Sequence, residues 1–142
     1  MVYTDFKYKR SKIRFSNYVF KQIENLKKED VCYTKEKNIY HSGITNVGII
    51  KTTTDKINYT DILTAIGNTD FQSRQPRLDK KNFFNSKEVY FINLDKKIIF
   101  NMYDDRGLDV ITTDKETIRP IYGKYNHWIL DYDRKKIDKL FL

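Results

Sequence analysis

Residues 88–113, EVYFINLDKKIIFNMYDDRGLDVITT, constrain the fold more tightly than any other part of this chain. Two runs rich in β-branched and aromatic residues, 88–94 and 98–103, flank the polar connector Asp95-Lys96-Lys97, which is the pattern of a β-hairpin. A second turn follows at Asp104-Asp105-Arg106-Gly107. There a glycine offers the positive φ that tight turns often use, and aspartate side chains can accept neighbouring backbone N–H groups. Residues 108–112 then read as a third strand. The expected heart of the protein is a three-stranded antiparallel meander whose second corner carries two acids, an arginine and a glycine, with Asp109 just beyond.

The segments around this meander give weaker signals. Residues 1–10 are basic with interleaved Tyr3, Phe6 and Tyr8, and suit an edge strand or a flexible basic arm. Residues 12–15 read as a short strand. Ser16 then offers an N-cap to an amphipathic helix with Val19, Phe20, Ile23 and Leu26 on one stripe, ending near Lys28. Residues 31–33 and 47–51 are strand candidates. Asn58 or Thr60 can cap a short helix bearing Ile62, Leu63 and Ile66, with Gly67 as its C-cap. Residues 68–85 read as a long loop, and loops of that length are usually functional or mobile. After the meander, Thr113 or Asp114 caps a helix with Glu116 in its first turn. Pro120 suggests that two short helical pieces meet there, and Ile118, Ile121, Tyr122, Tyr125 and Trp128 form a broad apolar face. Asp133 can cap a last helix carrying Ile137, Leu140 and Phe141. With no repeat and no interdomain linker, residues 1–142 are expected to form one α+β domain, a β-meander packed with short helices.

Composition narrows the function classes. No apolar run approaches a membrane span, and the charged start lacks an apolar signal region. The single Cys32 excludes an internal disulfide framework and fits a reducing compartment, so a cytoplasmic location is expected. The net charge of +8, from 27 Lys and Arg against 19 Asp and Glu, permits a polyanion or an acidic protein as partner. His41, His127 and Cys32 have no nucleophile or zinc-ligand spacing, the five glycines form no phosphate loop, and no serine stands in an elbow motif. Neither catalysis nor a cofactor is expected.

Three constellations remain. Asp104, Asp105 and Asp109 could hold a divalent cation through hard oxygen ligands, or lock the corner with Arg106, whose own positive charge weakens any cation site. Asp131, Asp133 and Arg134 follow Trp128, the lone tryptophan, which is expected in the core. The acids could pair with Arg106 or Arg119 and fix the last helices to the meander. Phe71, Arg74, Arg77, Lys80, Lys81 and Phe83 (with Phe84) make a basic-aromatic loop that could engage a protein surface, phosphates or stacked bases.

Across Tyr103-Asp104-Asp105-Arg106-Gly107-Leu108-Asp109-Val110-Ile111 the chain resembles a bacterial family classed as a domain of unknown function, with a YDDRG-x-D-[VI]-I signature. The tract Ile118-Arg119-Pro120-Ile121-Tyr122, continuing through Tyr125, Trp128, Leu130, Asp131, Tyr132, Asp133 and Arg134, extends the likeness, as do Ile62–Ile66 with Asp70-Phe71. Gly123 departs from it, standing where a helix-forming residue is expected. The resemblance implies no chemistry of its own. Proteins of this kind are similar in size and class to immunity proteins that neutralise bacterial toxins. The expectation is therefore a non-enzymatic protein-binding module, with a nucleic-acid-binding module on the basic-aromatic loop as the alternative and a metal-dependent hydrolase on the three acids as the third reading.

Overall fold

Strands β4 Asn85–Asn93, β5 Ile98–Met102 and β6 Leu108–Thr112 form the expected meander in a computed structural model that describes residues 1–7, 12–37, 43–78 and 85–141. Their register stacks Phe91, Phe100 and Val110 on one face, and Ile92, Ile99 and Ile111 on the other. Strands β1 Val2–Lys7, β2 Val31–Lys37 and β3 Ile44–Ile50 extend this into one six-stranded antiparallel sheet, ordered β2-β3-β1-β4-β5-β6. Together with helices α1 Tyr59–Gly67, α2 Lys115–Tyr125 and α3 Asp131–Phe141 this is a single α+β domain.

The first strand is neither an arm nor an edge. β1 lies between β3 and β4, with Tyr3 opposite both Gly48 and Val89. Those positions share a face with Val31 and Ile50, which pair on β2 and β3. This face carries the core. α1 lays Ile62, Ala65 and Ile66 over it, and Leu78 closes one side. Asn58 starts α1, its side-chain oxygen accepting the Asp61 N–H. Gly67 ends the helix, but the cap is Asn68 with φ −83°, and no glycine among the described residues takes a positive φ.

Residues 16–28 do not form the expected helix, and residues 12–15 form no strand. The chain makes a 3₁₀ turn, Phe20–Gln22, leaves helical geometry at Ile23 (φ −117°, ψ 120°), and takes a positive φ of 55° at Asn25. Asn17 accepts the Phe20 N–H with its side-chain oxygen at 2.9 Å, the bond of a helix start, but the turn goes no further because Ile23 is extended and bridges Ile57. Val19, Phe20 and Ile23 are nonetheless buried, as the apolar stripe requires. Gly48 makes room for them: a Cβ there would lie 3.0 Å from Phe20 Cζ.

At the other end, α2 runs unbroken through Pro120. Asp114 caps it by accepting the N–H groups of Glu116 and Thr117, and Pro120, exposed to solvent, withholds a single N–H. The last helix begins at Asp131 rather than at a capping Asp133, with the Leu130 carbonyl accepting from both Asp133 and Arg134. Among the described residues no helix is long and apolar enough to cross a membrane.

Candidate functional site

The corner after β5 is built around Asp104. It is only 6% exposed, and one carboxylate oxygen accepts the Arg106 backbone N–H at 2.8 Å, closing the turn. The other accepts the Arg106 guanidinium at 2.6 Å. The same Nη2 reaches Asp70, just beyond α1, at 3.3 Å, while Nε stands 3.9 Å from Asp105. One guanidinium thus links the meander corner to the segment that follows α1. Its pKa is held above the ordinary arginine value, first by the Asp104 hydrogen bond and charge, then by Asp70 and Asp105.

Asp70, Asp104 and Asp105 bring carboxylate oxygens within 4.8 Å of one another, the geometry of a possible cation site. The third acid is Asp70, not Asp109, and the Arg106 guanidinium already occupies the gathering point. Asp109 of β6 pairs with Asn101 of β5, which places it on the sheet face that carries Tyr90. There the Tyr90 hydroxyl donates to Glu88 at 2.6 Å. Burial pushes its pKa up to about 12, aided by the Glu88 bond and charge and by Asp109. Because that lies above the ordinary value of 10.0, the stabilisation from keeping this phenol neutral is complete below pH 10 and is lost as the pH rises toward 12. Chemical denaturation across that window is expected to show a fall in stability that Tyr90→Phe reduces. An identical fall in the variant would contradict the assignment.

Gly107 serves by its missing side chain. A Cβ built on it would fall against the Tyr103 ring, 2.5 Å from Cζ, so the ring can fold over the corner only above glycine.

Beyond the corner opens a cleft of about 570 Å³. One wall is 102–110; the other is helical. The helix positions follow from spacing: Ile118, Ile121, Tyr122 and Tyr125 recur along one face of α2, and Asp133, Ile137 and Phe141 along one face of α3. Tyr122 and Phe141 stack with ring centroids 4.0 Å apart, and the Tyr122 hydroxyl donates to Asp138, tying the two helices together. Arg134 clamps the link between them through the Asn126 and Ile129 carbonyls.

This arrangement corrects two expectations. Asp131 and Asp133 do not pair with Arg106 or Arg119. Arg119 bonds Glu116 three residues earlier, and Asp131 lies 3.9 Å from Arg134 at the same spacing, since residues three apart are neighbours on a helix. Trp128 is not core. It is 62% exposed at the mouth of the cleft, beside Leu130 at 58%. Gly123 meets nothing, being exposed in the last turn of α2.

The basic-aromatic loop is only partly gathered. The Arg74 guanidinium lies 4.0 Å above the Phe71 ring, and Arg77 is half-buried. Lys80, Lys81, Phe83 and Phe84 lie outside the described residues, as does His41. Cys32 is exposed on β2.

A family model described as Domain of unknown function (DUF3885) matches residues 1–133. The chain belongs to that family. One relative of this DUF3885 chain is the uncharacterized protein YnaE of Bacillus subtilis (strain 168). It is 40% identical over 76 residues, which cover 54% of this chain and 35% of YnaE. The match therefore spans about a third of that relative's length. No solved structure matches this DUF3885 chain.

Proposed function

We propose that this DUF3885 protein acts without catalysis, by binding another protein through the cleft between the Asp104 corner and the α2–α3 pair. The observation that carries this reading is a contrast in packing. Under α1 the sheet buries Tyr3, Val31, Ile50 and Val89, whereas α2 and α3 bury no residue completely, and Trp128 and Leu130 stand uncovered at the cleft mouth. Contiguous apolar surface left open on a soluble domain marks an interaction site, and Trp and Tyr are the residues that concentrate binding energy. A bacterial toxin domain is the partner class put first, on the likeness in size and class to immunity proteins. The mechanism is then steric occlusion, with charge complementarity setting the association rate.

The test compares wild type with Trp128→Ser as bait for partner proteins from the source bacterium. The substitution is exposed and is expected to leave the melting curve within about 0.5 kcal/mol of wild type. It should weaken a stoichiometric partner by about 2 kcal/mol, roughly 30-fold in Kd. A partner held equally by both baits would remove the cleft from the reading. If the neighbouring open reading frame encodes a growth-arresting protein, co-expression of this chain should relieve the arrest; failure to do so would end the immunity form. Titration with oligonucleotides at two salt concentrations tests the alternative on Arg74 and Phe71. Binding that falls steeply with salt and survives Trp128→Ser would replace the protein-binding reading.

A further inference from the structure

The cleft and the chain around it differ in charge. The sequence holds 27 Lys and Arg against 19 Asp and Glu, yet among the described residues Arg106 is the one basic side chain lining the cleft. That guanidinium is already bonded to Asp104 and Asp70 and lies 3.9 Å from Asp105, whose side chain is the most exposed of the three acids. Asp105 lies on the corner wall and Asp133 on the helical wall, so the apolar floor runs between two carboxylates on opposite sides. Asp109 also borders the cleft, but its strand register turns its side chain to the other sheet face. Trp128, whose ring centroid lies 4.9 Å from that of Tyr125, presents an electron-rich face that attracts cations, while the Tyr125 ring already has the Lys124 ammonium 5.2 Å from its centroid.

Building on the protein-binding reading, we infer that the cleft receives a segment of the partner that is both apolar and basic: aliphatic or aromatic side chains against Ile121, Tyr125 and Leu108, with Lys or Arg flanking them to meet Asp105 and Asp133. An acidic segment would face two carboxylates with no unbonded cation among the described lining residues. Its approach is disfavoured by like-charge repulsion in a partly desolvated site. The inference also bears on how a protein of net charge +8 can meet a basic partner: the long-range field opposes approach, and the local lining reverses sign at the contact.

Trp128 is the only tryptophan, so its fluorescence reports on the cleft directly. The probes are three amphipathic peptides that share one apolar face of Leu and Phe and carry Lys, Gln or Glu on the other face. The Lys peptide is expected to shift the emission saturably and to bind at least tenfold tighter than the Glu peptide. Raising the salt to several hundred millimolar should weaken it severalfold, since partly exposed charges are screened there. Asp105→Asn combined with Asp133→Asn should weaken the Lys peptide about fivefold while leaving the Gln peptide unchanged.

Equal or tighter binding of the Glu or Gln peptide, an unaffected double variant, or no binding by any of the three overturns the basic-segment inference. Self-association of the protein that blocks the Lys peptide also overturns it, by naming a second copy as occupant. The bait comparison with Trp128→Ser judges the cleft itself independently, so the two readings can fail separately.

Discussion

Phe20→Ala is expected to lower stability by about 3–5 kcal/mol, the usual cost of emptying a large aromatic site in a core. Phe20 is buried, meets Tyr3 and Phe15 edge-on at 5.6 and 6.1 Å, and rests on the bare backbone of Gly48. It is therefore the wedge between the sheet and the irregular segment that crosses it. Refilling the space would require the neighbouring Tyr3 and Phe15 rings to shift, because the contact beneath it is a glycine. A domain of this size has about 5–15 kcal/mol in total, so the variant should melt roughly 10–20 °C lower. Denaturant titration is the direct check, with a lower midpoint and an unchanged slope. Glu24→Gly is the companion measurement. In the interior of a helix it would cost about 1 kcal/mol; in the exposed, non-helical chain observed here it should cost under about 0.5 kcal/mol. A loss below about 1 kcal/mol for Phe20→Ala would contradict the packing described.

The same residue shows what could be read from sequence and what could not. The spacing of Val19, Phe20 and Ile23 correctly marks them as inward-facing, because burial depends on side-chain chemistry. The helix inferred from that spacing is absent, because Ile23 turns extended to bridge Ile57 and Asn25 takes a positive φ. The meander and α1 were legible for the opposite reason: their turns and the Asn58 cap are local signals, decided within a few residues. Asp70 was not legible as a partner of Arg106. Thirty-six positions separate them, and only the route of the chain through α1 and the sheet brings them together. The apolar face of α2 was visible in the sequence, but the pattern cannot tell whether a neighbour covers it. Here the neighbour is a corner that stays at a distance, and the result is a cleft where core was expected. The central position of β1 was hidden for a related reason, since its paired residues lie 37 to 47 positions away on β3 and 78 to 88 positions away on β4.

The other large effect is expected at Asp104. Asp104→Ala removes a buried carboxylate that closes the turn with one oxygen and holds the guanidinium with the other, and it should cost about 2–4 kcal/mol. Asp104→Asn keeps an acceptor for the Arg106 N–H and gives up only the charge, so it should cost less. Arg106→Ala should also lower the melting temperature, but by less than Asp104→Ala. Its guanidinium is 71% exposed and solvated, and the backbone N–H that Asp104 accepts survives the substitution. Because the two side chains share one bond, the double variant should lose less than the sum of the singles. The corner forms one wall of the cleft, so Asp104→Ala should weaken cleft binding only together with stability, whereas Trp128→Ser weakens binding with stability unchanged. That opposition separates scaffold from recognition surface. If Asp104→Ala melted like wild type and yet bound nothing, the corner would itself be the recognition element, and the division between a structural corner and a binding cleft would have to be reversed.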